Sequence, residues 1–168
     1  LFLYQNLRII LSILTVLFSA NFVLSQNFVV DKKHSKTYSL LLDLKFAEAK
    51  TIITEIRSAD EKNLSVVYLE DLSDFLFIVV TEDQKEFEIR KELRSDRLKA
   101  VSQLPDSSPY KLLTEGEIHL HWAFSMMRFG EYLGGAREIN RAFKALEKNM
   151  VLFPDFLPTY KSMGLLHT

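Results

Sequence analysis

The segment from Glu117 to Pro154 constrains the fold of this chain more than any other part of its sequence. Gly130 divides the segment, and glycine readily adopts the left-handed backbone conformation that ends many helices. Residues spaced as on one buried helical face follow the glycine: Ile139, Ala142, Phe143 and Leu146. Gly135 allows a second helix to pass close to the first. The segment therefore predicts two antiparallel helices that are joined by a turn at residues 129–132 and ended by Pro154.

The turn and the second helix resemble the helix–turn–helix unit of a tetratricopeptide repeat. The residues that carry the resemblance are Gly130, Glu131, Tyr132, Gly135, Ile139 and Ala142, and then Tyr160 and Gly164 in what resembles the next repeat. In a weaker upstream copy, the positions of Tyr132, Gly135 and Ile139 are taken by Phe46, Ala49 and Ile53. That copy departs from the family pattern at Leu44, where the family usually has glycine. The second helix is also longer than a standard repeat allows.

The sequence also resembles an uncharacterised group of exported bacterial proteins that contain such repeats, through EIHLHWAF, FGEY and FPDFLP. The resemblance covers residues 36–168, and it implies an all-α fold of stacked antiparallel helix hairpins but no known activity. We expect turn and helix-packing roles for nine residues: Gly130, Tyr132, Gly135, Ala142, Trp122, Phe46, Ala49, Pro154 and Gly164.

The rest of the chain fits an all-α fold. We predict one helix over Leu64–Val80 that is buried on more than one side. Apolar and polar residues do not alternate there as they would in a strand, and no hairpin turn interrupts the segment. Thr81 and Gln84 fit a capping box for a charged helix that runs from Asp83 to Gln103. Three hairpins and the start of a fourth are expected across residues 37–168, with a pitch of roughly 40 to 48 residues. Because no capping helix follows, we expect this helical-repeat domain to be truncated at its C-terminal end.

The N-terminal residues 1–25 have the pattern of a signal peptide. Arg8 precedes an apolar core, and small residues near position 25 suit a cleavage site that would leave Gln26 as the new N-terminus. Residues 26–36 are expected to form a polar junction. The alternative is an uncleaved anchor over residues 9–30, which is long enough to span a membrane if its polar residues are tolerated.

Composition excludes several classes of function. The chain contains no cysteine, which rules out disulfides, thiol nucleophiles, thiolate metal sites and a lipoprotein anchor. Arg8 is the only charged residue before Gln26, so the remainder carries 20 basic and 22 acidic residues. This balance gives no reason to expect nucleic acid as a partner, or a membrane unless residues 9–30 are an anchor. No cofactor and no metal are expected.

The histidines and acidic residues do not form a recognisable catalytic motif. His119 and His121 point about 200° apart on a helix, so they cannot share a metal ion; we expect one to be packed and the other near the surface. Asp71 falls on an apolar face and is expected to meet an arginine, either Arg128 or Arg137. An aromatic and methionine cluster around Trp122 is more typical of a core than of a ligand groove.

These observations predict a non-catalytic, exported scaffold that binds a protein or peptide in the bacterial cell envelope or periplasm. The candidate partner contacts are Arg137, Arg141 and Lys144, on one flank of the second helix, although such a mixed-charge flank is usually solvated. Two alternatives stay open. The chain is either the N-terminal arm of a larger protein whose activity lies beyond residue 168, or an assembly factor tethered to a membrane by residues 9–30.

Overall fold

The computed structural model describes residues 26–166, and all regular elements in this range are helices apart from one backbone bridge between Asn27 and Asn63. The expected signal peptide at 1–25 and the last two residues lie outside the described range. In chain order the helices are α1 (Lys32–Leu42), α2 (Phe46–Ala59), α3 (Ser65–Thr81), α4 (Gln84–Lys91), α5 (Leu93–Val101), α6 (Pro109–Arg128), α7 (Tyr132–Leu152) and α8 (Pro158–Leu166). The all-α prediction is confirmed.

Helices contact their neighbours along the chain. α1 and α2 pack together and both contact α3, which in turn contacts α6. α6 also packs against α5, α7 and α8. Three apolar clusters lie at these contacts: one between α1, α2 and α3, one between α3, α4, α5 and α6, and one between α6, α7 and α8. The long helices α3 and α6 each contribute to two clusters, so they are covered on more than one side.

The first helix begins five residues before Thr37, inside the segment predicted to be a polar junction. Asp31 caps this helix, because its side chain accepts a 2.8 Å hydrogen bond from the backbone N–H of His34. His34 and Thr37 are buried, while Lys33, Ser35 and Lys36 are exposed. The segment looks polar because only the minority of its residues face inward.

The turns of the first and third hairpins share a left-handed residue. Gly130 has a φ of +80°, and Leu44, at the position where the upstream copy lacks the expected glycine, has a φ of +59°. The third hairpin is also closely packed, because a Cβ atom at Gly135 would lie 2.8 Å from Met127 Cγ and 3.0 Å from the carbonyl oxygen of Ala123. The turn at 129–132 and the close approach at Gly135 therefore follow the prediction.

The charged helix after α3 differs from the prediction in two ways. α3 continues through Thr81, whose hydroxyl bonds to Phe77 within that helix, and Asp83 caps α4 through the N–H groups of Lys85 and Glu86. The continuous helix to Gln103 is divided at Glu92, where φ is −64° and ψ is −27°. These angles remain in the right-handed helical region, so α5 follows α4 after a break of one residue.

Candidate functional site

A pocket of about 390 Å³ lies between α1, α3, α6 and α8. Its volume is within the range of small-ligand sites, which is roughly 300 to 1,000 Å³. Aromatic rings from five residues line it: Phe28, His34, Tyr38, Tyr68 and Tyr110. The pocket therefore combines residues from helices that are far apart in the sequence.

The N-terminal wall of the pocket is held by hydrogen bonds rather than by a helix. The backbone of Asn27 pairs with the backbone of Lys62 and Leu64, and the N–H of Val29 donates to Asn63 Oδ1 at 3.0 Å. Phe28, between them, stacks on Tyr110 with a centroid distance of 4.4 Å. These contacts fix one aromatic wall against the first turn of α6.

Two buried polar atoms in the pocket lining have no hydrogen-bond partner. They are Nε2 of His34 and Oγ1 of Thr114, on side chains that are only 7 % and 1 % exposed. Burial lowers the pKa of His34, although the charge of Asp31 opposes this effect, so the imidazole is neutral at pH 7. Buried polar groups in proteins are nearly always paired, so these two atoms are exceptions. Both are closed off from solvent, so a molecule that enters the pocket does not reach them.

The charges in the pocket are already balanced. Glu117 accepts hydrogen bonds from the hydroxyls of Tyr68 and Ser162, the first at 3.1 Å. Burial, followed by the charge of Glu117, raises the pKa of Tyr68 well above its usual value. Lys161 lies at the rim and donates to Tyr38 Oη at 2.9 Å, and this hydrogen bond raises the pKa of Lys161. One acid and one base therefore face the same space.

A buried polar network leads away from the pocket. His121 Nε2 lies 3.9 Å from Glu117, and its Nδ1 lies 2.8 Å from the fully buried Asp71. Asp71 also accepts from Trp122 Nε1 and from Arg97, each at 3.0 Å. The expectation that Asp71 meets an arginine is confirmed, but the arginine is neither Arg128 nor Arg137. α5 packs against α3 and carries Arg97 to the carboxylate, whereas Arg128 pairs with Glu82.

The network ends at a second cavity of about 560 Å³ between α2, α3, α4 and α5. There Asp74 pairs with both Arg90 and Arg97, and Glu70 pairs with Arg57 at 2.6 Å. Burial disfavours the charged form of Arg97 and by itself would lower its pKa. The charges and hydrogen bonds of Asp71 and Asp74 have the larger effect, so the pKa of Arg97 is raised. Four of the five charged side chains in this lining, Glu70, Asp74, Arg90 and Arg97, are engaged in ion pairs, so this cavity offers a ligand less than the aromatic pocket does.

The two histidines of α6 are both buried, so the expectation that one lies near the surface is wrong. α6 is covered by α3 on one side and by α7 on the other. His119 Nδ1 donates to Glu138 Oε2 on α7 at 2.6 Å, whereas His121 faces Asp71 on α3. Burial would raise the pKa of Glu138, but His119, Arg94 and Arg141 outweigh it and lower the pKa. Among residues 26–166, no group of three or more possible ligands could hold a metal ion.

The structure places the other sequence-predicted residues mostly in the helix contacts. Trp122, Ala49 and Ala142 are buried, and Phe46 packs edge-on against Phe77. Pro154 follows the end of α7, and its carbonyl accepts from the hydroxyl of Tyr160 at 2.9 Å.

Two of the predicted packing residues make no such contact. Tyr132 begins α7 and is 69 % exposed, since it projects from the turn into solvent. A Cβ atom at Gly164 would meet no atom of the described residues within 4 Å. Tyr132 therefore lies at the turn without being packed, and Gly164 is not needed for a close approach within the described part of the chain.

The predicted partner contacts lie outside the pocket. Arg137, Arg141 and Lys144 are exposed on α7, and Arg141 pairs with Glu138 at 2.6 Å. The pocket residues His34, Tyr38, Tyr110 and Thr114 were missed. One signal was available, since His34, Thr37, Tyr38 and Leu41 follow the spacing of one helical face, which would have placed the start of α1 correctly.

Comparisons of this chain with family models, curated proteins and solved structures found no match. In the part of the chain from residue 26 to residue 166, none of the helices is both long enough and apolar enough to cross a membrane.

Proposed function

We propose that this chain is a non-catalytic binding module of the helical-repeat type, and that it holds a segment of a protein partner in the aromatic pocket. The single observation that carries the proposal is the pocket itself. It is lined by aromatic rings from several elements, together with the charged side chains of Glu117 and Lys161. Concave sites with mostly aromatic and apolar walls and a few polar groups are where proteins commonly bind ligands.

The arrangement of the helices supports the proposal that the chain consists of helical repeats. Helix contacts connect each hairpin with the next one, and the pocket draws its residues from α1, α3, α6 and α8, which are the first helices of successive hairpins. Stacked hairpins leave such first helices along one common surface, which is where an extended partner can lie. The expected location outside the bacterial cytoplasm rests on the signal-peptide pattern of residues 1–25.

Peptide binding tests this function directly. Linear peptides are selected from a random library against the full chain, and their dissociation constants are measured by titration. Ser39, an exposed residue of the lining, is then changed to tryptophan so that the new side chain fills the pocket mouth. We expect Ser39→Trp to weaken binding by at least about tenfold, which corresponds to about 1.4 kcal/mol.

Lys144→Trp is the matched control. It introduces the same bulky side chain at an exposed position of α7, on the flank that was predicted from the sequence to contact a partner. We expect it to leave the affinity unchanged. The proposal is wrong if Lys144→Trp weakens binding and Ser39→Trp does not, because the partner would then use α7.

A further inference from the structure

We propose that the aromatic pocket binds the side-chain ammonium group of a lysine from the protein partner, and that Glu117 supplies the opposite charge. This inference rests on the proposed function and names the chemistry that the pocket recognises. It is drawn from the surroundings of Glu117, the aromatic lining and the contact that Lys161 makes at the rim.

Glu117 is the acidic side chain of the pocket lining, and 17 % of it is exposed, so a ligand can reach it. Its oxygens accept hydrogen bonds from the neutral hydroxyls of Tyr68 and Ser162. In the described part of the chain no lysine or arginine pairs with this carboxylate, and its one ion-pair contact is His121, which also binds Asp71. A carboxylate can accept about four hydrogen bonds, so capacity for an ammonium donor remains.

The walls of the pocket favour the same sign of charge. Phe28, Tyr38, Tyr68 and Tyr110 belong to the lining together with Glu117, and Tyr68 bonds to Glu117 directly. The face of an aromatic ring attracts a cation, and the attraction is larger where water is partly excluded. An ammonium group that enters this pocket is therefore attracted both by the rings and by the carboxylate.

Lys161 makes this kind of contact within the chain itself. Its Nζ donates to Tyr38 Oη at 2.9 Å and lies 5.4 Å from the centroid of the same ring. Lys161 is exposed at the rim whereas Glu117 is mostly buried, so solvent screens the charge of the lysine more strongly than that of the glutamate. The interior of the pocket therefore favours a cation, although the lining contains one acid and one base.

The test compares three ligands of similar size and different charge. Nα-acetyl-lysine amide, Nα-acetyl-norleucine amide and Nα-acetyl-glutamate amide are titrated separately into the ¹⁵N-labelled full chain, and dissociation constants are obtained from the chemical shifts. Norleucine has the side chain of lysine without the terminal ammonium group. We expect the lysine amide to bind about tenfold more tightly than the norleucine amide, and the glutamate amide to bind most weakly. A pentapeptide with lysine at its centre should bind more tightly than the lysine amide, whereas equal affinities would contradict a polypeptide ligand.

A pair of variants on α6 tests the role of Glu117. Glu117→Gln removes the charge and keeps the size of the side chain, so we expect the preference for lysine over norleucine to fall to about threefold or less. Glu115→Gln is the control, because it removes the same charge from the same helix at a residue outside the pocket lining. It should keep the full preference; an equal loss in both variants would contradict a direct contact with Glu117.

Lys161→Met is a second test, and it changes an exposed residue. Methionine keeps a long side chain beside Tyr38 but removes the ammonium group that competes at the rim. We expect the lysine amide to bind about threefold more tightly to this variant. A pocket for anions would behave in the opposite way, because the glutamate amide would be the tightest of the three ligands and Lys161→Met would weaken its binding.

The outcomes separate this inference from the proposed function. If selected peptides bind and Ser39→Trp blocks them, but the lysine and norleucine amides bind equally, the lysine inference is overturned while the binding function stands. Failure of the lysine amide to bind at about 20 mM, which is weaker than most specific sites, overturns it as well. If Ser39→Trp has no effect on the selected peptides, the proposed function itself fails.

Discussion

A set of glycine and alanine exchanges tests the geometry of this fold with one chemical change. Gly130 and Gly164 both have empty space where a Cβ atom would lie, so neither exchange to alanine causes a clash. They differ in backbone conformation, because Gly130 has a φ of +80° and Gly164 lies in the helix α8. Any difference between the effects of the two substitutions on the free energy of unfolding is therefore attributed to the backbone conformation at each position.

The expected effects have opposite signs. Alanine at Gly130 must adopt the left-handed conformation at about 1–2 kcal/mol, which is partly offset by about 0.4–1 kcal/mol of unfolded-state entropy, so we expect destabilisation by about 1 kcal/mol. Alanine at Gly164 removes the helix penalty of glycine and should stabilise by up to about 1 kcal/mol. Urea unfolding followed by circular dichroism resolves a difference of this size.

Gly135 and Leu44 extend the same test. Gly135→Ala places a Cβ atom 3.0 Å from the backbone oxygen of Ala123, which cannot move as a side chain can, so we expect a loss of about 1–3 kcal/mol in spite of the helical backbone. The Leu44→Gly variant should have a free energy of unfolding about 1 kcal/mol higher than that of the Leu44→Ala variant, because position 44 is left-handed. In ordinary helical positions alanine is the more stabilising of the two residues. Changes of the same sign at Gly130 and Gly164 would refute the reasoning, because the left-handed turn would then not be present.

The remaining predictions concern the buried charges. Asp71→Ala leaves Arg97, His121 and Trp122 without their common acceptor and should lower the free energy of unfolding by about 3–5 kcal/mol; a loss below about 1 kcal/mol would mean that the network is not formed. The lowered pKa of Glu138 means that its ionised form stabilises the fold above its ordinary value of 4.5, and that this contribution is lost as the pH falls through the lower folded pKa. Glu138→Gln should therefore melt below the unsubstituted protein at pH 7, and the two melting temperatures should converge below pH 4.5; a constant difference would contradict the assignment.

The elements that local sequence specifies were predictable. The third hairpin follows from Gly130, the helical spacing beyond it and Pro154, and the structure has helices at Pro109–Arg128 and Tyr132–Leu152. A turn glycine and an amphipathic pattern act on residues close in the chain, so they can be recognised without knowing the tertiary structure. Leu44 shows the limit of this reasoning, because it adopts the left-handed conformation between two helices although its residue type does not favour it.

The partners of the buried charges could not be predicted. Asp71 was expected to meet an arginine, but the residue that reaches it is Arg97 on α5, 26 positions along the chain. Which arginine reaches Asp71 depends on how α4 and α5 cross α3. The break at Glu92 is part of what sets the direction of α5. The pocket presents the same difficulty on a larger scale, since Tyr38 and Lys161 meet across 123 residues of sequence.

The network around Asp71 and the residues beside the pocket differ in how completely their buried polar groups are paired. At Asp71, three donors from α5 and α6 converge on one carboxylate, so the network is complete without a ligand. Such an arrangement disfavours any other registration of α3 against α6, because a shift would leave a buried charge without partners. In the pocket, His34 and Thr114 retain unused bonding capacity although the surrounding chain has already folded around them. Thr114→Val keeps the shape of the side chain but removes a buried hydroxyl that has no partner, so we expect it to raise the free energy of unfolding by about 1 kcal/mol, as measured by urea unfolding; a loss of stability would mean that the hydroxyl is paired after all.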